Sequence, residues 1–307
     1  MERTTLDTAT LGFVTGLLGL GAAFLAFQFL VSPIVLVVQI LMAEGSMSAL
    51  NTIRDPEQLM SAFTRELILS NGLGQVLGLA GPALLMGRLH SSRIAEYLRL
   101  RGVDGRLLGL SVVGVIGLQP VAQWLAQVNQ QLPLPEAVRA LDQSQLELIR
   151  HVLESDLGLG FNLIMLALIP GICEEVLFRG YAQRQFERAG GATAGVLLSG
   201  ILFGLYHIRP SQLLPLAVLG LYMAYLTWRT GSLVPAMVVH FLHNGMAVMA
   251  AHFVQGTAAY DLSSLEQVPV PWYGVGLGVV IVGGVVYVLH QLAPQVRDRE
   301  HGDAFSL

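Results

Sequence analysis

The chain has 307 residues, of which 53% are hydrophobic and only 12% charged, against about 25% charged in an ordinary soluble domain. A soluble protein of this length must still cover its surface with polar groups, so the composition excludes that class and leaves an integral membrane protein. The formal net charge of −4 argues against a nucleic-acid partner, and the single cysteine, Cys173, excludes an internal disulfide framework.

Charge-free stretches of about 20 residues, enough to cross the hydrocarbon, recur along the chain. Spans are accordingly placed near Leu11–Met42, Leu67–Gly87, Leu107–Gln127, Leu157–Arg184, Thr193–Ile208, Leu213–Trp228, Leu233–Phe253 and Trp272–Leu292. The expected fold is therefore all-α, a polytopic membrane bundle of about eight transmembrane helices. The first stretch is overlong and is accommodated by tilt, by a kink at Pro33 or by an early end. It lacks a basic leader and a small-residue cleavage site, so it reads as retained. The segment Glu136–Asp156 reads as a long, acid-rich outer loop, and Asp261–Glu266 is acid-rich as well.

All 17 basic residues are arginine. With the N-terminus inside, the inner segments hold Arg3, Arg88, Arg93, Arg99, Arg101, Arg106, Arg179, Arg184, Arg188, Arg229, Arg297 and Arg299. The outer ones hold Arg54, Arg65, Arg139, Arg150 and Arg209. This asymmetry predicts that both termini are cytoplasmic.

Ionisable groups at membrane depth are costly and usually serve a purpose. Glu175 and Arg179 stand at i and i+4 with the acid first, the favourable order for an ion pair. Glu174 is rotated about 100° away and is free to face something else. Two adjacent carboxylates cannot both ionise cheaply in a low dielectric. The one without an arginine is the natural general base.

The only strong breaker before the next span is Gly190-Gly191, read as a hairpin turn. Glu174 precedes that turn by as many residues as His207 follows it, so the two return to one depth, roughly 15 Å below the surface. Counting inward from Leu233 sets His240 about 10 Å and Asn244 about 16 Å deep, on one helix face. Asn244 beside His240 is a plausible oxyanion donor. His243 reads as a packing or supporting partner, His252 as an interhelical partner or an interfacial group, and Cys173 as a small buried hydrophobe.

These residues resemble the signature of the CAAX-protease and bacteriocin-processing family of intramembrane endopeptidases. Its motifs are E-E-x-x-x-R, F-x-x-x-H and H-x-x-x-N, here Glu174-Glu175 with Arg179, Phe203 with His207, and His240 with Asn244. The resemblance spans about residues 157–253, and Phe178-Arg179-Gly180 looks like the bacterial form of the first motif. It implies that Glu174 and His207 activate a water, that His240 and Asn244 hold the oxyanion, and that Glu175 and Arg179 support them. It implies a substrate that is a membrane-associated or lipid-modified peptide or protein, in contact with membrane lipid, and a bacterial inner-membrane location.

No cofactor is expected, although Glu174, His207 and His240 with a water would also make a zinc shell. Against zinc stand the absence of H-E-x-x-H and the poor ligand quality of Asn244. The organisation expected is N-terminal helices and loops over 1–156, a catalytic core over 157–255, and a last helix with its tail over 256–307. The competing class is a non-enzymatic membrane protein, either a bacteriocin-immunity binder or a proton-coupled transporter. The transporter predicts paired halves with broken helices, and no such duplication is present in the sequence.

Overall fold

A computed structural model describes residues 9–45, 56–155, 157–254 and 268–293. Arg3, Arg54, Asp261–Glu266, Arg297, Arg299 and both termini lie outside the described residues. Every regular element among those described is a helix. The principal ones are α1 (Leu11–Glu44), α2 (Thr64–His90), α3 (Gly105–Gln130), α4 (Glu136–Leu153), α5 (Leu159–Tyr206), α6 (Leu213–Thr230), α7 (Val234–Val254) and α8 (Trp272–Leu292). All except α4 are long and apolar enough to cross a membrane.

Helix α5 is folded in two. Gly191 has φ +78° and ψ −179°, a conformation open to glycine and hostile to residues with a Cβ. The arms on either side lie against each other. Gly195 sits on the Glu187 side chain, the Ser199 hydroxyl donates to the Phe178 carbonyl at 3.3 Å, and the Phe178 and Phe203 rings meet edge to face. Seven apolar runs thus supply the eight arms expected from the sequence, and the reversal falls at the anticipated glycine pair.

Pro33 does not end α1. A π-helical segment, Ala26–Val31, precedes it, and the Ser32 N–H bonds to the Phe27 carbonyl five residues back. The proline ring would crowd the carbonyl four residues back, and its missing N–H leaves a bond unmade. A wider turn relieves both. The same arrangement recurs at Val76–Ala80 before Pro82 and at Ile164–Leu168 before Pro170. At about 51 Å, α1 is longer than the ~30 Å hydrocarbon and must tilt or protrude.

Glu136–Asp156, read from the sequence as a loop, is mostly helical, since α4 occupies Glu136–Leu153. Its apolar residues are interleaved with charge. A search for unbroken apolar runs passes over such an amphipathic helix.

The second arm of α5 packs on α6, α3 packs on α8, and α7 closes against α3, α6 and the first arm of α5. The α5–α6 contact is very close. A Cβ at Gly220 would stand 2.5 Å from the Gly200 carbonyl oxygen, so only glycine permits this approach of backbones.

One end of the bundle gathers the arginine-rich connections. Arg99 pairs with Glu187, Arg101 donates to the Gly231 carbonyl at 2.6 Å, and Arg184 donates to the Tyr97 carbonyl at 3.0 Å. The α2–α3 connection, the Gly191 turn and the α6–α7 turn therefore share one end. At the other, Thr64 meets His151, and Asn129 meets the α5–α6 turn.

Candidate active site

The site is built on the two arms of α5 and on α7. The segment Val176–Ala182 is a fourth π-helical stretch, with no proline behind it. π-bulges are frequent at functional sites, and this one carries Arg179 one turn after the two carboxylates.

Glu175 and Arg179 are both wholly buried, with Arg179 Nη1 donating to Glu175 Oε1 at 2.8 Å. Arg179 Nη2 donates to the Gly220 carbonyl at 3.0 Å, and its guanidinium lies 4.4 Å from the centre of the Phe203 ring. The close α5–α6 contact is what brings that carbonyl within reach. The same Glu175 Oε1 accepts from His240 Nδ1 at 2.8 Å. The expected ion pair is present, and its carboxylate also fixes an imidazole on another helix. That second role was not anticipated from the sequence.

Glu174 points elsewhere, as its rotation from Glu175 predicts. Its Oε2 lies 3.8 Å from His207 Nε2 and 4.0 Å from His240 Nε2. This oxygen is buried and has no hydrogen-bond partner in the protein. His207 donates from Nδ1 to the Phe203 carbonyl at 2.8 Å, which leaves Nε2 to face Glu174. His240, held at Nδ1 by Glu175, likewise turns Nε2 to the same point. Phe203 lies edge to face against both imidazoles.

Depth counting set Asn244 level with Glu174 and His240 nearer the surface. The structure instead brings His240 to Glu174. Asn244, one turn beyond His240, donates from Nδ2 to the Leu166 carbonyl at 3.2 Å. Its amide has a second proton to offer.

Of the remaining polar residues, His243 lies close enough to His207 and His240 to interact with them electrostatically, but its hydrogen bond is made elsewhere. His243 Nδ1 accepts from Gln119 Nε2 at 3.3 Å on α3. Gln119 was overlooked in the sequence, although a glutamine beside Pro120 in mid-span is a detectable signal. Cys173 is buried and free. His252 is exposed near the end of α7.

Among the described residues, no group of three His, Cys, Asp or Glu side chains has the arrangement of a metal site. Tetrahedral zinc with bonds of 2.0–2.2 Å holds its donors about 3.4 Å apart. The two separations here, 3.8 and 4.0 Å, are wider. Two hydrogen bonds of about 2.8 Å to one tetrahedral water would set the partners roughly 4.6 Å apart, so the observed separations lie between the two arrangements.

A polytopic bundle with paired carboxylates and two imidazoles meeting inside the apolar arms has the make-up of a membrane-integral hydrolase. Residues 157–246 match the family model described as type II CAAX prenyl endopeptidase Rce1-like. All seven residues of the three motifs fall within that match. No curated protein and no solved structure matches the chain. This match and the apolar helices among the described residues together make this an integral membrane protein.

Proposed function

We propose that the chain is an intramembrane endopeptidase that hydrolyses a peptide bond of a membrane-associated or lipid-modified protein, using a water held by Glu174 and His207 and no metal. The observation that carries this reading is an unsatisfied carboxylate oxygen. A buried carboxylate oxygen without a protein donor faces two imidazole nitrogens at 3.8 and 4.0 Å, and buried polar groups of this kind are normally satisfied by a water.

In this mechanism Glu174 takes a proton from the water as its oxygen adds to the scissile carbonyl. The carbonyl electron pair moves onto oxygen, where His240 Nε2–H and the free Asn244 N–H stabilise it. Collapse of the tetrahedral adduct breaks the C–N bond, and Glu174 returns its proton to the leaving amine. To donate from Nε2 while Nδ1 donates to Glu175, His240 must carry both ring protons. Glu175 is then the counter-ion for this charge as well as for Arg179. His207, fixed through Phe203, orients the water from the other side.

The experiment that tests this pairs metal content with rate for Asn244→Ala and His240→Ala. Removing one oxyanion donor typically costs about 10²–10³ in turnover, with little effect on substrate affinity because it acts on the transition state. Both variants are expected to be crippled to a similar degree, with no metal bound to either or to the wild type. Stoichiometric zinc in the wild type, lost in His240→Ala and kept in a nearly active Asn244→Ala, would end the metal-free reading.

We also propose that the arginine-rich end faces the cytoplasm, with both chain termini on that side of a bacterial inner membrane. Arg88, Arg93, Arg99, Arg101 and Arg106 gather there, together with Arg184, Arg188 and Arg229 at the neighbouring turns, as the positive-inside rule requires. Ser92 is exposed on that connection, whereas Tyr97 beside it is buried. A cysteine introduced by Ser92→Cys in a Cys173→Ala background should react with an impermeant thiol reagent only after the cytoplasmic face is opened. Labelling in intact cells would reverse the topology.

A further inference from the structure

The turn that follows His207 is held by residues far from it in the chain. His207 ends the second arm of α5, and the next residue, Ile208, has φ +50°. A β-branched residue is poorly suited to the left-handed region, and backbone strain of this kind persists only where the surroundings enforce it.

The turn beyond Ile208 is hydrogen-bonded from the opposite half of the chain. Asn129, 1% exposed near the end of α3, donates from Nδ2 to the Pro210 carbonyl at 2.6 Å. Its Oδ1 accepts the Leu214 N–H at 2.8 Å. One carboxamide thus spans the short 3₁₀ turn Pro210–Gln212. Asp142 of α4, also buried, accepts the Ser211 N–H at 3.4 Å. Neither residue belongs to the matched segment 157–246.

We propose that Asn129 is a positioning residue for hydrolysis: by clamping the turn over Pro210–Leu214 it holds Ile208 left-handed and keeps His207 Nε2 directed at Glu174. This rests on the catalytic reading given above. Without the clamp Ile208 relaxes out of its left-handed conformation, and His207 moves with the end of its helix.

The test uses full-length protein in detergent, with quenched fluorescent casein as the cleavage probe. Asn129→Leu keeps the side-chain volume and removes both hydrogen bonds. It is expected to lower kcat about 10- to 10²-fold with KM nearly unchanged, the scale set by a displaced reacting group. Adding Ile208→Gly, which lets the left-handed turn stand unaided, should restore most of that loss. Asn129→Asp keeps the bond from Leu214 and loses the one to Pro210; it should fall between, and it replaces the leucine variant if that one does not fold.

A readout independent of cleavage is the carbon-13 spectrum of histidine-labelled protein. The His207 imidazole signal should move in Asn129→Leu and return in the double variant. Wild-type kcat in Asn129→Leu, an unmoved His207 signal, or a double variant that regains melting temperature without regaining kcat would each overturn the positioning role. Glu174→Gln measured alongside separates the levels. If it cleaves casein normally, the catalytic reading has failed; if it is inactive while Asn129→Leu is fully active, only the role of Asn129 has failed.

Discussion

Glu174→Gln should lower turnover about 10²- to 10⁴-fold, the usual contribution of a general base, while the protein stays folded and membrane-inserted. The substitution is nearly isosteric, and Glu174 Oε2 has no hydrogen-bond partner in the protein to lose. It removes the ability to accept a proton from the attacking water. Melting in detergent should match the wild type, and substrate should still bind, because the loss falls on the transition state. A well-expressed Glu174→Gln protein with full turnover would remove the base from the mechanism. Loss of melting temperature in step with activity would recast Glu174 as a structural residue.

Glu175→Ala and Arg179→Ala should behave differently, losing stability as well as activity. Both side chains are wholly buried, and Glu175→Ala leaves Arg179 as an unpaired charge at a cost of about 3–5 kcal/mol. The two variants should nevertheless differ from each other. Glu175→Ala strands Arg179 and also releases His240 Nδ1, so it disturbs an imidazole that faces Glu174. Arg179→Ala leaves the His240 contact in place but frees the Gly220 carbonyl and the face of the Phe203 ring. Thermal melting should fall in both, with the greater loss of residual activity in Glu175→Ala. Unchanged melting in both would contradict the buried pair.

Much of this was legible in the sequence because membrane depth makes polar residues conspicuous. Charge-free runs marked the apolar arms, Gly190-Gly191 marked the reversal, and equal spacing about that turn brought Glu174 to His207. What stayed hidden depends on departures from ideal helices and on amphipathic or polar groups at helix ends. The π-helical stretch Val176–Ala182 and the approach of His240 to both Glu174 and Glu175 are not anticipated by counting at an ideal rise. Helix α4 alternates apolar and charged residues, so it resembled a loop. Asn129 stands at the end of an apolar run, where an asparagine ordinarily reads as interfacial. Its hydrogen bonds across 81 and 85 residues of sequence have no local signature.

The most direct test of the account is the identity of whatever occupies the point between Glu174 Oε2, His207 Nε2 and His240 Nε2. A high-resolution diffraction map collected on both sides of the zinc absorption edge reads it in one experiment. The metal-free mechanism predicts a single peak of water strength at hydrogen-bonding distance, about 2.7–3.0 Å from its partners, with no anomalous signal. An anomalous peak about 2.0–2.2 Å from all three atoms, with the three drawn together around it, would contradict the mechanism and make the site a zinc centre.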